Sequence, residues 1–142
     1  MAVSENWVLA ERTTAQGLSL VRIRQLGAGF LFHTYRERIT VTWTLEDESD
    51  GTPSDAESAW MERFEKRLCE RLEAKAQAFV CIVFTEPGFR EYVFYSRDVP
   101  RFMEALNKIP GEAAPYPIEI RHETDGGGEL YRSYAQRLLG QA

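Results

Sequence analysis

Hydrophobic and polar residues alternate along residues 38–45, where Ile39 and Trp43 share one face and threonines occupy the other. A period of two in β-branched residues predicts a strand that is covered on one face only. The apolar run at residues 79–84 has no such alternation and predicts a central strand. A Glu-Pro-Gly turn follows, and residues 90–96 predict its hairpin partner.

Two later segments have helical spacing. Apolar residues recur every fourth position between residues 60 and 72, and Ser54 with Glu57 has the spacing of a capping box that begins a helix. Asp98 before a proline predicts the start of a second helix. Residues 116–122 predict the last strand.

The order of these elements predicts the fold class. Residues 38–123 read strand, helix, strand, strand, helix, strand, which is the βαββαβ order of a ferredoxin-like split βαβ sandwich in the α+β class. Residues 1–37 predict an added N-terminal β-hairpin, and residues 124–142 predict a C-terminal helix. A length of 142 residues fits a single domain over residues 1–142, with one core between sheet and helices.

The composition, with 44% hydrophobic and 27% charged residues, is typical of a soluble globular protein and not of a disordered or membrane protein. The first residues carry Glu5 and Glu11 without a long apolar run, so we expect no signal peptide, a cytoplasmic location and no membrane partner. Cys69 and Cys81 lack the spacing of metal ligands and are predicted to be buried and reduced. We therefore expect no cofactor.

The formal net charge of -5 is concentrated in residues 46–57, which hold six acidic residues and no Lys or Arg. The rest of the chain has no basic stripe, so we expect no nucleic-acid partner. An acidic cluster can accelerate association with a basic surface. It is therefore predicted to be a partner-binding patch, with these candidate residues: Glu46, Asp47, Glu48 and Asp50.

The same segment matches the ligand positions of an EF-hand calcium loop at the first, third, fifth, sixth and twelfth places, which are Glu46, Glu48, Asp50, Gly51 and Glu57. Three features argue against calcium. Glutamate replaces the shorter aspartate at the first two ligand positions, Pro53 removes a backbone donor, and a strand leads into the loop. We expect a solvated turn without bound metal.

Two glycine-containing segments have some features of phosphate or RNA sites. The run from Gly126 to Gly128 precedes a helix, but no lysine follows at Walker spacing, so a flexible hinge is predicted. Gly88 resembles the start of an RNA-recognition octamer, but Arg90 and Glu91 occupy its small and aromatic positions. Neither segment predicts a nucleotide or nucleic-acid site.

Catalytic residues are scarce. The chain has two histidines, His33 and His122, and no Gly-x-Ser-x-Gly nucleophile motif. An enzyme would need residues that only the fold brings together. The candidates for such a polar pocket are His33, Arg90, Glu91 and Tyr95.

Several short motifs occur in a particular order along the chain. From the N-terminus they are an early Trp7, Asp50-Gly51-x-Pro53, Phe64-Glu65, Thr85-x-x-Gly88-x-Arg90-Glu91 with Phe94-Tyr95, and Asp125 ahead of Tyr131. In this order the chain resembles the bacterial family called domain of unknown function 695. That family ends in Asp-Pro-x-Trp-x-x-Tyr. Here Gly126 and Gly128 stand at the Pro and Trp positions.

The resemblance implies a function more weakly than a fold. The family has no established activity, and it looks related to the regulator of ribonuclease E activity, B type, which inhibits a nuclease by binding it. The resemblance thus implies a βαββαβ fold and a non-enzymatic protein-binding or regulatory module. The alternative is an enzyme with an unrecognised active site near His33 and Arg90, and a homodimer is left open.

Overall fold

The computed structural model describes residues 3–46, 48–49 and 51–140. The elements within them are strands β1 (Val3–Thr14), β2 (Gly17–Leu26), β3 (Glu37–Thr44), β4 (Glu48–Ser49), β5 (Thr52–Pro53), β6 (Ala78–Glu86), β7 (Phe89–Ser96) and β8 (Ile118–Thr124), and helices α1 (Asp55–Glu73), α2 (Val99–Lys108) and α3 (Glu129–Leu138). This is a mixed α+β protein, as predicted.

Six strands form one sheet in the order β1-β2-β6-β7-β3-β8, and every neighbouring pair is antiparallel. The predicted N-terminal hairpin is present as β1 and β2. Its second strand pairs with β6 from Leu20↔Thr85 to Ile23↔Ile82. The hairpin therefore continues the main sheet, where the sequence had indicated only an appended element.

The helices begin where the sequence predicted. Ser54 caps α1 by accepting a hydrogen bond from the Glu57 backbone N–H, and Asp98 caps α2 in the same way through Arg101. The Glu57 carboxylate is buried and accepts a hydrogen bond from Trp43 Nε1 at 2.9 Å. Glu57 therefore links α1 to β3, in addition to its place at the start of the helix. Across the described residues, none of the helices has both the length and the apolarity that a membrane crossing requires.

One face of the sheet is covered by α1 and α2. The helix-face core comprises the following buried residues: Ile39, Val41, Trp43, Met61, Phe64, Leu68, Leu72, Ala78, Val80, Val83, Tyr92, Phe94, Phe102 and Ile109. The alternation in β3 and the four-residue spacing in α1 place these side chains toward each other. The predicted core is confirmed on this face.

The opposite face, which we call the second face, carries another core that the sequence analysis missed. Its buried residues are Ile23, Leu26, Phe30, Phe32, Tyr35, Phe79, Cys81, Ile82, Val93, Tyr95, Tyr131 and Ala135. The connector 27–36 and α3 supply the cover. The prediction of one core was therefore incomplete, because aromatic residues of an irregular connector have no periodicity to reveal their burial.

Candidate functional site

The second face is covered over only part of its area, and the remainder forms a groove with a volume of about 580 Å³. We call it the sheet-face groove. Its lining residues come from five strands, their connecting turns and α3, and they include Arg12, Thr14, Arg38, Thr40, Phe84, Glu86, Phe89, Glu91, Val93, Arg121, His122, Glu123, Leu130 and Tyr134.

Strand alternation explains how these side chains reach one surface. Tyr92 and Phe94 of β7 lie in the helix-face core, so Glu91 and Val93 lie on the second face. On β3 the same rule places Thr40 in the groove while Ile39 and Val41 are buried under the helices. Thr40, one of the threonines that the sequence left without a covering partner, therefore lines the groove.

The rim of the groove is built from paired charges. Arg121 on β8 forms an ion pair with Glu91 on β7 at 2.6 Å, and Thr42 donates a hydrogen bond to the same carboxylate at 3.3 Å. Arg38 pairs with Glu123 at 2.8 Å. Of the charged residues that line the groove, three are arginines and three are glutamates, so its charge is balanced.

Asp125 fixes the wall of the groove from beneath. Its carboxylate accepts hydrogen bonds from Arg38 at 2.8 Å and from the Tyr95 hydroxyl at 2.9 Å. It also accepts the backbone N–H groups of Glu129 at 2.7 Å and Leu130 at 3.2 Å, at the start of α3. The segment from Gly126 to Gly128, which was predicted to be a flexible hinge, is therefore held by the hydrogen bonds of Asp125, an arrangement that we call the Asp125 joint. The N-terminus of a helix favours an anion, and here that anion is the Asp125 carboxylate.

These contacts shift the acidity of the groups involved. Burial alone would raise the pKa of Asp125, but the hydrogen bonds from Glu129, Tyr95, Leu130 and Arg38 outweigh it and lower that pKa. Burial, together with the neighbouring Asp125 carboxylate, raises the pKa of the Tyr95 hydroxyl. Asp125 is therefore an ionised acceptor and Tyr95 a neutral donor at neutral pH.

Tyr131 and Phe32 attach α3 to the sheet. The Tyr131 hydroxyl donates to the backbone carbonyl of Arg24 at 2.7 Å and accepts from the Leu26 N–H at 3.0 Å. The Phe32 ring packs edge-on against Tyr95, with centroids 5.1 Å apart. Gly128 at the start of α3 has φ +64°, and a Cβ there would lie 2.4 Å from Phe32 Cδ1.

Far from the groove, Arg24 joins the N-terminal hairpin to α1. It is only 3% exposed, yet its guanidinium is well satisfied, because it donates to both Glu73 oxygens, to Glu5 and to the carbonyls of Ser4 and Val80. Trp7 also contacts this guanidinium, with its ring centroid 5.6 Å from Arg24 Cζ. A buried arginine with this many acceptors has a structural role.

A comparison with protein-family models matches residues 5–135 to a family of unknown function (DUF695). The chain belongs to the DUF695 family. A search of curated proteins and a search of solved structures each found no match. The relation to the regulator of ribonuclease E activity is not shown by the family match and stays a prediction.

Several of the motifs that indicated DUF695 have structural roles in this chain. Gly51, with φ +77°, lies against the turn between β6 and β7, and its carbonyl accepts the Gly88 N–H at 3.2 Å. Arg90 donates from Nε to the Thr85 hydroxyl across the same hairpin at 2.9 Å. Asp125 belongs to the joint described above. These residues hold turns and helix ends in place.

The fold does not gather the four residues of the predicted polar pocket into one place. Arg90 and Glu91 are adjacent in β7 and therefore point to opposite faces of the sheet. Glu91 lines the groove, and Tyr95 is buried beneath it. His33 is exposed in the connector 27–36. Sequence reasoning missed Arg38, Arg121 and the role of Asp125 in positioning α3, because each of these residues acts through partners that are distant in the sequence.

The predicted acidic patch lies partly outside the described residues. Asp47 and Asp50 are not described, and Glu48 is described only as part of the short strand β4. Glu46 is exposed, and its backbone N–H donates to the Glu57 carboxylate at 2.9 Å. Binding of a partner here, and the expected lack of calcium binding, both stay predictions.

Cys81 is buried, as predicted, whereas Cys69 is only partly buried. Burial raises the pKa of both thiols, that of Cys69 on α1 and that of Cys81 on β6. Such thiols are poor nucleophiles at neutral pH. Within the part of the chain that the structure describes, no cluster of His, Cys, Asp or Glu has the arrangement of a metal site.

Proposed function

We propose that this DUF695 protein is a non-enzymatic protein-binding module that uses the sheet-face groove. The observation that carries the proposal is the combination of an apolar floor with a rim of balanced charges, four of which form two ion pairs, Arg121 with Glu91 and Arg38 with Glu123. An extended protein segment with an apolar anchor between charged residues would satisfy both parts. The split βαβ core is also part of the proposal, since the order β6-β7-β3-β8 is that of a ferredoxin-like sheet.

The apolar floor supplies the driving force for binding. Phe84 and Phe89 come from the β6–β7 hairpin, and Val93 and Leu130 extend the surface toward α3. Tyr134 closes one side by packing its ring against Phe84, with centroids 5.1 Å apart. Aromatic anchors buried on such surfaces contribute most of the binding free energy in protein interfaces.

The rim supplies specificity. Arg121 and Glu91 form an ion pair in the free protein. A bound segment must therefore either break this ion pair or add a further charged group to it. A balanced rim gives no net attraction for a polyanion, which disfavours nucleic acid in this groove. It favours a segment that presents charges of both signs at matching positions.

An enzyme is the second candidate, and the geometry favours it less. Glu91 and Arg121 satisfy each other, Arg38 is committed to Glu123 and Asp125, and the Cys81 thiol is buried with a raised pKa. General acid–base catalysis needs a group within hydrogen-bond reach of the reacting atom and with a suitable pKa. The paired groups of the groove do not supply one, and the imidazole of His122, which also lines the groove, has no hydrogen bond to a described residue that would position it.

Site-specific photocrosslinking tests the proposal. A benzophenone amino acid replaces Thr40 in the groove, and a matched control carries it at Asn107, which is exposed on α2 on the other face. Crosslinking is performed in cells that express the protein. The captured partner is identified and purified, and its affinity for the protein is then measured by titration.

The decisive variant exchanges the rim charges, Glu91→Arg with Arg121→Glu. It retains an ion pair and the net charge but inverts the pattern that the partner meets. We expect capture at Thr40 and not at Asn107, an unchanged melting temperature, and an affinity reduced by about tenfold or more. Equal capture at both positions, no capture at Thr40, or an unchanged affinity would each contradict the proposal.

The acidic segment, residues 46–57, is tested separately with the same purified partner, by measuring the association rate at low and high salt. If it also contacts the partner, then neutralising Glu46, Asp47 and Glu48 slows association and reduces its salt dependence. An unchanged association rate at low and high salt would leave the segment without a binding role. Either result is separate from the outcome of the charge exchange.

A further inference from the structure

Positive charge converges in a second groove, on the other side of the sheet between the end of α1 and α2. We call it the interhelix groove. Its charged lining consists of Arg67, Arg71, Lys75, Arg97, Arg101 and Lys108, with Glu70 and Glu104. Six cations against two carboxylates give a net charge of +4, in a chain whose total is -5. These residues form no basic stripe in the sequence because they are spread over 42 positions, from 67 to 108.

Two of these cations have no ion-pair partner among the described residues, although Lys75, after Lys108 and Arg101, helps to lower the pKa of Glu104. Arg71 and Lys75 are exposed and form no hydrogen bond or ion pair with any residue that the structure describes. By contrast, Arg67 pairs with Glu112 at 2.7 Å and Lys108 with Glu104 at 2.9 Å. The end of α1 therefore presents free positive charge to the groove.

Helix electrostatics account for only part of this arrangement. Arg71 lies in the last turn of α1, where a cation is favourable because of the helix dipole. Arg101 lies in the first turn of α2, which contains no acidic residue, and there the dipole makes a cation unfavourable. Its Nε lies 3.9 Å from a carboxylate oxygen of the N-cap residue Asp98, and this weak ion pair offsets only part of that cost.

An unpartnered donor lies in the lining of the same groove. Gln77 follows α1 and is 9% exposed, and its Nε2 is buried without an acceptor among the described residues. A buried amide donor without an acceptor costs free energy. An oxyanion in the groove would lie beside this donor and could satisfy it after a small side-chain movement.

We propose that the interhelix groove binds a compact multivalent oxyanion. Guanidinium groups match phosphate and carboxylate oxygens through paired N–H donors, and Arg71 and Arg101 supply them here. Arg97 adds positive charge, while its Nε and Nη2 already donate to the Ala76 carbonyl and the Tyr35 hydroxyl. A compact ligand is favoured over a nucleic-acid strand, because a strand that extends beyond the groove meets a surface whose remaining charge is negative. Phosphate and carboxylate ligands share this chemistry, and experiment can distinguish them.

Calorimetric titration of the full chain at 150 mM salt tests the proposal, with tripolyphosphate as the phosphate probe and citrate as the carboxylate probe. The test variant is Arg71→Ala with Lys75→Ala. The matched control is Arg36→Ala with Lys66→Ala, which removes the same charge from exposed residues outside the groove. We expect saturable binding of at least one probe, reduced about tenfold or more in the test variant and less than about twofold in the control.

Gln77→Met gives an independent readout. It removes the unpartnered donor at similar side-chain length, so we expect the melting temperature to stay the same or rise while the probe binds several-fold more weakly. A merely structural Gln77 would lower stability and leave binding unchanged. The probe that binds more tightly identifies the ligand as a phosphate or a carboxylate.

Three results would overturn the proposal. These are the absence of saturable binding below about 1 mM of either probe, equal weakening in the test and control variants, and tighter binding of a ten-nucleotide single-stranded DNA than of tripolyphosphate. The first would leave the cations as a solvated surface. The second would indicate a general charge effect, and the third would replace the compact ligand with a polymer.

Discussion

The two faces of the sheet are stabilised in different ways. On the helix face, α1 and α2 bury a broad apolar surface, and Phe64, Phe102 and Trp43 are each at most 1% exposed. On the second face, α3 and the connector 27–36 cover part of the surface, and hydrogen bonds to the Asp125 carboxylate and from the Tyr131 hydroxyl position the helix. Because a few hydrogen bonds hold α3 over only part of the second face, the rest of that face stays uncovered. The sheet-face groove lies on this uncovered part.

The difference has a consequence for function. Residues of the helix-face core are committed to packing, and replacing them affects folding first. Groove residues such as Thr40 and Glu91 contribute little to the fold, so they are free to serve a partner. The interhelix groove follows the same logic, because Arg71 and Lys75 lie outside both cores.

The largest expected effect tests the helix face. Truncation of Phe64, which is 1% exposed, leaves a cavity against Trp43, Tyr92 and Tyr116. We expect Phe64→Ala to reduce the free energy of unfolding by about 3–5 kcal/mol in urea denaturation. Leu18→Ala, at a residue 50% exposed, is the control and should cost less than about 1 kcal/mol. A similar loss in both variants would refute the packing difference.

The sequence predicted the helix face well and the second face poorly, for a physical reason. Alternation in β3 and the four-residue spacing in α1 are local patterns, and they revealed Val41, Leu68 and the caps of both helices. The joint at Asp125 depends on Arg38, 87 residues away, and on Tyr95, 30 residues away. No local pattern encodes such pairs, so the groove above them could not be predicted.

The prediction with the intermediate loss of stability tests how closely α3 packs against the Phe32 ring. Gly128→Ala places a Cβ within 2.4 Å of the Phe32 ring and forces a side chain into φ +64°. We expect a loss of about 2–4 kcal/mol, from backbone strain and overpacking together. Gly126→Ala is the matched control, since its nearest neighbour is Arg36 Cβ at 3.9 Å. Faster amide hydrogen exchange confined to α3 would locate the damage, and equal stability of the two variants would contradict the prediction.

The smallest expected effect concerns the polar joint and depends on pH. An amide at position 125 has one oxygen in place of two and cannot accept all four hydrogen bonds, so we expect Asp125→Asn to cost about 1–3 kcal/mol at pH 7. The fold lowers the pKa of Asp125, so its ionised form stabilises the protein above the unfolded-state pKa of about 3.9. That contribution is lost as the pH falls through the lowered folded-state pKa.

The stability difference between wild type and Asp125→Asn should therefore be constant near neutral pH and shrink in acid. Glu123→Gln is the control, because Glu123 is the exposed partner of the same arginine, with its side chain 73% exposed, and such pairs contribute about 0–1 kcal/mol. Urea denaturation between pH 3 and pH 7 measures both differences. A stability difference for Asp125→Asn that stayed constant down to pH 3, or that matched the control at pH 7, would show that α3 is held by packing alone.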